Sequence, residues 1–187
     1  MQKRTIGILT FITAAGAGIF AIAQGALTPD SPPPVTETPI PTVVAAYQPC
    51  AYMWAYEDLP EISAELQTAI QSILPEASAR ATAFGENCVA QDGSATFGAM
   101  QTDFYLHILV TDLNDDATLG SLIERLLPII DQFPRQRLRG PNDGFVEFTF
   151  FLLGDAQRVL RVPIPLGKQL REQGLHGAEL LKAIESQ

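Results

Sequence analysis

Asp103, His107 and Glu147 are the residues whose types could carry out chemistry together. A carboxylate and an imidazole that converge on a pocket can activate water, so these three side chains would suit a small hydrolase. The chain lacks the companion motifs H-x-x-x-H and G-x-S-x-G, and it predicts no cofactor and no metal site. The hydrolase is therefore the alternative hypothesis, and it requires the three side chains to meet in a cleft. The competing structural explanation is that His107 packs on a sheet, while His176 caps the last helix.

Three aromatic residues, Tyr52, Trp54 and Tyr56, recur at every second position. In an extended strand they share one face. If this row is exposed, it offers a platform for sugars or for the apolar side chains of a protein partner. If it is buried, it covers the sheet beneath the helices, as large aromatic side chains commonly do. The sequence leaves both explanations open and makes the row a possible binding surface.

Three arginines, Arg135, Arg137 and Arg139, form a basic cluster in the polar segment 135–144. Guanidinium groups suit an anionic partner, whereas a solvated loop needs no partner at all. The net charge of the whole chain is −9 at pH 7. This charge argues against nucleic acid or an anionic membrane surface as partner, because both need a basic footprint. The expected partner is a protein or a glycan.

Residues 1–23 have the pattern of an export segment. Lys3 and Arg4 precede an uncharged apolar run at 6–23, which ends in an A-x-A cleavage site. The run also reaches the lower length limit of a membrane-spanning helix, so a cleaved signal peptide and a retained anchor both stay open. We expect a protein that is secreted, periplasmic or tethered to the outer face of the cytoplasmic membrane. Contact with the membrane is expected only through this segment.

Residues 24–49 are rich in proline and threonine, which excludes helix and internal strand and indicates a semi-rigid spacer. A single folded domain is expected at 50–187. The chain has two cysteines, Cys50 and Cys88, and in an exported protein pairing is favoured over a reactive thiol. In the chain-entropy treatment this bridge would stabilise the fold by about 3–4 kcal/mol.

Hydrophobic periodicity predicts two amphipathic helices and two strand hairpins in the domain. Asp58 is expected to cap the first helix, Pro128 to kink or end the second, and Gly85 to mark an irregular strand. The expected elements are a strand at 50–56, a helix at 60–74, strands at 77–91 and 97–111, a helix from 113, strands at 145–153 and 158–164, and two short C-terminal helices.

These elements predict an α+β fold with a four-stranded antiparallel sheet and two helices on one face, followed by C-terminal helices. If residues 50–56 form a fifth strand, the order at 50–153 is that of a ferredoxin-like βαββαβ sandwich. Otherwise the order is the circularly permuted αββαββ form. In the first order the strands that carry the cysteines are separated by about 9.6 Å, whereas a disulfide needs Cα atoms about 4.4–6.8 Å apart. The bridge therefore favours 50–56 as an edge strand beside 84–90, whereas a disulfide at the end of the sheet, where strands splay, would also be compatible with the first order.

Three short strings, at 84–88, 102–104 and 174–178, resemble those of an uncharacterised group of exported bacterial proteins of unknown function. The likeness covers most of 48–187 and implies no activity. The succession of export segment, spacer and helix–hairpin units is also similar to periplasmic modules of pilus and secretion assemblies, although such folds host many functions. The expected function is an exported, non-enzymatic binding or structural module of the cell envelope. The oligomeric state stays open.

Overall fold

The computed structural model describes residues 50–187, so the export segment and the spacer predicted at 1–23 and 24–49 lie outside the described residues. A short 3₁₀ helix, Arg135–Arg137, lies in the polar loop before the fourth strand. The strands and α-helices of the described part are β1 Ala51–Asp58, α1 Pro60–Gln71, β2 Ser78–Val89, β3 Ala95–Leu109, α2 Asp116–Ile130, β4 Phe145–Phe151, β5 Gln157–Pro163, α3 Ile164–Glu172 and α4 Gly177–Glu185.

The strands form one sheet in the order β1-β2-β3-β4-β5. Three neighbouring pairs are antiparallel, whereas β3 and β4 are parallel, because α2 carries the chain back across the sheet between them. The predicted α+β class is confirmed, with a mixed sheet in place of a wholly antiparallel one. Behind β1 the elements follow the predicted order αββαββ. The strands lie in chain order, which is simpler than the split βαβ arrangement of a ferredoxin-like sandwich.

β1 lies at one edge of the sheet and pairs with β2, so that Tyr52 is opposite Cys88. Residues 51–56 are therefore part of a sheet strand, and Cys50 directly precedes it. Cys50 and Cys88 form the predicted disulfide, with Cα atoms 5.3 Å apart. This edge position is the one that the disulfide geometry favoured.

The core lies between one face of the sheet and the helices. Phe104, Leu106 and Ile108 of β3 point into it and are at most 2% exposed, as the period-two pattern predicted. Apolar side chains of α1, α2 and α4 cover them. Complete burial of each such side chain contributes about 1.5–3 kcal/mol to folding. The helices therefore hold the sheet through apolar contact on one face.

The first helix begins differently from the prediction. Asp58 is the last residue of β1, and Leu59 occupies the N-cap of α1 without a side-chain hydrogen bond. The strand therefore runs directly into the helix and leaves Asp58 outside the capping position. The N-cap of α2 is Asp115, whose carboxylate accepts a hydrogen bond from the backbone N–H of Thr118.

Two prolines lie within helices of the structure. Pro128 lies inside α2, which continues to Ile130, so the proline does not end the helix. The proline removes only one backbone N–H donor near the helix end, and the buried side chains of this last turn remain in the core. At the other end of the domain, α3 begins at Ile164 directly after β5, with Pro165 in its first turn, where proline is well tolerated.

Beyond Phe84 the sheet extends past its buried part. The register of β2 against β3 shifts between Phe84 and Gly85, which is the irregularity predicted at this glycine. A Cβ at Gly85 would lie 2.1 Å from the carbonyl oxygen of Gly98, so only glycine fits there. The segments beyond this bulge form what we call the distal sheet, in which every residue except Gly85 is half-buried or exposed. The distal sheet consists of residues 51–56, 84–89 and 95–100.

Candidate functional site

The face of the sheet opposite the core carries most of the candidate residues. Cross-strand register places Tyr56 of β1 opposite Phe84 of β2, and Arg80 of β2 opposite Tyr105 of β3. Tyr105 is in turn opposite Glu147 of β4. Because opposite residues in a sheet point to the same face, these side chains form one surface, which we call the open face.

The predicted aromatic row lies on the open face and is exposed. Tyr52, Trp54 and Tyr56 are 64%, 64% and 65% exposed. Phe84 joins the row, because its ring centroid lies 5.3 Å from that of Trp54 and 5.2 Å from that of Tyr56. The alternative in which these side chains cover the core is not what the structure has. The rings instead support one another at the solvent side of β1 and β2.

A second aromatic pair continues this surface toward β4. The rings of Tyr105 and Phe145 meet edge to face, with centroids 5.8 Å apart. Burial raises the pKa of the Tyr105 phenol above its ordinary value, so this group stays neutral and able to donate a hydrogen bond at physiological pH. We call the aromatic residues of the open face together the aromatic strip. It consists of Tyr52, Trp54, Tyr56, Phe84, Tyr105 and Phe145.

Two guanidinium groups lie over the inner part of the aromatic strip. The Cζ atom of Arg80 is 4.2 Å from the centroid of the Tyr105 ring, and that of Arg161 is 5.0 Å from the centroid of the Phe145 ring. Cation–π contacts of this kind contribute about 0.5–1 kcal/mol at exposed sites. Arg161 also donates to Glu147 over 2.7 Å, whereas Arg80 has no ion pair with a carboxylate of the described residues. The strip therefore offers aromatic area beside one unneutralised positive charge.

A buried carboxyl lies beneath this surface. Asp103 is 1% exposed, and its Oδ1 accepts hydrogen bonds from Gln101 Nε2 at 2.7 Å and from the backbone N–H of Phe145 at 3.2 Å. Burial raises the pKa of Asp103, and the two hydrogen bonds and the Arg161 guanidinium oppose this effect. The hydroxyl of Thr82, opposite Asp103 on β2, is also buried. Asp103 is held as a structural acceptor under the strip.

The three residues of the hydrolase hypothesis share the open face without meeting in one site. Asp103 and His107 are four residues apart on β3, roughly 13 Å along a strand, and Tyr105 lies between them. Glu147 is engaged by Arg161. A shallow cavity of about 260 Å³ includes His107 and Arg80 in its lining but neither carboxylate. His107 is exposed beside it.

The arginine cluster of the polar loop is tied to the rest of the fold. Arg137 donates to both carboxylate oxygens of Glu65, at 2.6 and 2.8 Å, and Arg139 lies 3.3 Å from Glu57. The Arg135 guanidinium donates to backbone carbonyls of its own loop. Exposed ion pairs contribute about 0–1 kcal/mol each, but these two fix the loop to α1 and β1. The arginines therefore already have anionic or carbonyl partners and are not part of the aromatic strip.

His176 lies at the N-cap of α4, as predicted, although its side chain does not cap the helix. Its Nδ1 instead lies 2.8 Å from Glu124 Oε1 of α2. The hydrogen bond with His176 lowers the pKa of Glu124. The imidazole therefore fastens α4 to α2.

Sequence reasoning did not single out Arg80, Arg161, Phe84 and Phe145 as site residues. Arg80 and Phe84 alternate with alanines on β2, a pattern that already separates the two faces of the strand. Their placement beside Tyr56 and Tyr105 depends on cross-strand register, which alternation within a single strand does not give.

Comparisons of the chain with protein-family models, with curated proteins and with solved structures gave no match. Within residues 50–187, no helix is long and apolar enough to cross a bilayer. The same residues contain no group of three or more His, Cys, Asp or Glu side chains placed to hold a metal ion.

Proposed function

We propose that the protein is an exported, non-enzymatic module of the cell envelope that binds a protein or a glycan through the aromatic strip. The observation that carries this proposal is the exposure of about two thirds of Tyr52, Trp54 and Tyr56 on a sheet face that no described helix covers. Exposed patches of large aromatic side chains are more typical of interaction sites than of solvated surface.

Export is part of the same proposal. The Cys50–Cys88 disulfide is compatible with an oxidising compartment, and the basic and apolar pattern of residues 1–23 is that of an export segment. The proline-rich residues 24–49 would hold the domain away from a membrane or allow it to diffuse after cleavage. In either case the strip faces an extracytoplasmic partner.

The chemistry of the strip indicates the kind of partner. Aromatic rings supply apolar area, while the guanidinium of Arg80, which has no ion pair within residues 50–187, favours an acidic or carbonyl-rich group beside it. A glycan with carboxylate groups and an apolar protein segment with an acidic flank both satisfy this pattern. Trp54 is the side chain from which the largest contribution to binding is expected, because tryptophan and arginine dominate such surfaces.

The test is site-specific photocrosslinking in the cells that make the protein. A photoreactive phenylalanine analogue at Tyr56 should yield an adduct with a partner protein, whereas the same analogue at Leu153, which is 91% exposed in the β4–β5 turn, should not. A glycan partner is tested by sedimentation of the purified protein with insoluble envelope polysaccharide. Trp54→Ala should weaken capture about 30-fold or more, and Leu153→Ala should leave it unchanged. Equal behaviour of the two sites in both assays would refute the proposal.

A further inference from the structure

The two edges of the sheet differ in how they are protected. β5 carries Arg158, Arg161 and Pro163, and it runs directly into α3. Charged residues and proline are common devices that prevent an edge strand from pairing with another chain. β1 has neither lysine, arginine nor proline, and its outer edge is unpaired among the described residues. Side chains on both of its faces are exposed, including Met53 at 61%. The backbone donors and acceptors of this edge are therefore available for a further strand.

The sequence of β1 is close to symmetric about Trp54. Tyr52 and Tyr56 lie two residues on either side of it, and Met53 and Ala55 lie one residue on either side. In an antiparallel pair of identical strands centred on Trp54, Tyr52 of one copy is therefore opposite Tyr56 of the other. Aromatic pairs directly across a sheet are among the favourable cross-strand contacts.

We propose that two copies of this protein associate through β1, antiparallel and centred on Trp54, to form one continuous ten-stranded sheet. The arrangement has a two-fold axis perpendicular to the sheet, as expected for a closed homodimer. This inference goes beyond the proposed function, because it concerns the edge of β1 and leaves the open face uncovered.

The distribution of charge favours this occupant and this register. The carboxylates of β1 are confined to its end, at Glu57 and Asp58. In the register centred on Trp54 these two residues are opposite Ala51 and Cys50 of the other copy, so that no carboxylate of β1 is opposite another. Registers centred on Glu57 or Asp58 would oppose like charges and would also shorten the paired segment. The register centred on Trp54 therefore pairs residues 51–57 without charge conflict. The register centred on Ala55 pairs a segment of the same length, but it places Tyr52 opposite Asp58 and loses the pairing of Tyr52 with Tyr56.

The symmetry has a consequence for the aromatic strip. Opposite residues of an antiparallel pair point to the same face, so both open faces lie on one side of the dimer and both helical layers on the other. The strip of each copy reaches β1, and the two strips therefore join across the two-fold axis. The dimer would present one aromatic surface of doubled length.

The first test uses the full chain, purified in a mild detergent, and sedimentation equilibrium over a range of concentrations. The wild-type protein should show a reversible monomer–dimer equilibrium. Trp54→Lys places two ammonium groups opposite each other and should raise the dissociation constant at least about tenfold. Leu153→Lys, in the β4–β5 turn, is the matched control and should have no effect. A monomeric wild-type protein at every concentration, or a dimer equally stable in Trp54→Lys, would overturn the proposal.

The second test measures the register. Residues directly opposite in an antiparallel pair have Cα atoms about 4.5–5.5 Å apart, which suits a disulfide. Trp54→Cys should therefore form a covalent dimer under mild oxidation, with the Cys50–Cys88 bridge verified by peptide mapping. Met53→Cys should not, because its counterpart is displaced along the strand. Crosslinking that is equal at both positions would contradict the pairing.

The two proposals can fail separately. If the wild-type protein is monomeric at every concentration and Tyr56 still crosslinks to a different protein, the dimer fails and the proposed function stands. If the wild-type protein is dimeric through β1, but Tyr56 yields an adduct only with the second copy and Trp54→Ala does not weaken polysaccharide capture, the dimer stands and the proposed function fails.

Discussion

The part of the sheet beneath the helices and the distal sheet are stabilised by different interactions. Beneath the helices, Phe104, Phe148 and Phe150 are completely buried, and burial of apolar area provides most of the stability. The distal sheet lacks such cover and relies on strand pairing, on the ring contacts of Phe84, and on the Cys50–Cys88 disulfide. One continuous sheet thus contains a part whose side chains are buried in the core and a part whose exposed side chains can contact other molecules.

The largest effect is expected from a core substitution compared with one on the distal sheet. Phe148→Ala should lower the free energy of unfolding by about 3–5 kcal/mol, because it leaves a cavity in a close-packed core. Trp54→Ala removes a larger side chain, yet it should cost less than about 1 kcal/mol, because that side chain is mostly exposed. Denaturant titration of both variants measures the contrast. Similar losses for the two would mean that the distal aromatic row is part of the core.

Removal of the disulfide tests how the distal sheet is held. The double variant Cys50→Ser/Cys88→Ser should lose about 3–4 kcal/mol, because the bridge restricts the unfolded chain across a sequence separation of 38 residues. Amide hydrogen exchange should show the greatest loss of protection at 51–57 and 84–89, with the segments under α2 less affected. If protection falls uniformly, the two parts of the sheet unfold as one unit.

The smallest effect concerns the pH dependence contributed by Asp103. Its pKa is raised in the folded protein by burial, so the folded state binds its proton more tightly than the unfolded state does. Stability from this group is therefore present below its unfolded pKa and is lost as the pH rises through the folded value. Asp103→Asn keeps an acceptor oxygen for Gln101 and for the Phe145 N–H. Because its amide does not ionise, the variant does not lose this stability as the pH rises.

The difference in unfolding free energy between Asp103→Asn and the wild-type protein should therefore move in favour of the variant between pH 3 and pH 7. The matched control is Asp155→Asn, which changes an exposed carboxyl in the β4–β5 turn. A difference that stays constant with pH, or that moves in favour of the wild-type protein, would contradict the assignment of the raised pKa to Asp103.

The sequence was sufficient for the elements and for the covered face. Period-two alternation identified Phe104, Leu106 and Ile108 as core residues, and their burial follows from the geometry of a single strand. The expected disulfide favoured an edge position for β1, because its distance limits disfavour two strands that are separated by a third. Both inferences depend on local geometry or on a single covalent constraint.

The remaining features depend on contacts between distant segments. The parallel pairing of β3 with β4 is fixed by the path of α2 over the sheet, which alternation within each strand does not encode. The ion pair of Arg137 joins residues 72 positions apart, so a basic cluster in the sequence became a loop attachment in the fold. Likewise, Arg80 becomes a site residue only through its register with Tyr105.

The disulfide also determines how mechanical force passes through the domain. Residues 51–87 lie inside the covalent loop closed by Cys50 and Cys88. Tension that arrives through residue 49 therefore crosses directly to Cys88, and β1 and α1 are excluded from the loaded path. With the bridge intact, pulling at the two ends of the chain can extend, within residues 50–187, only the segments after Cys88. The strand β1 therefore carries no tension, and its free edge would keep its position while a tethered domain is pulled.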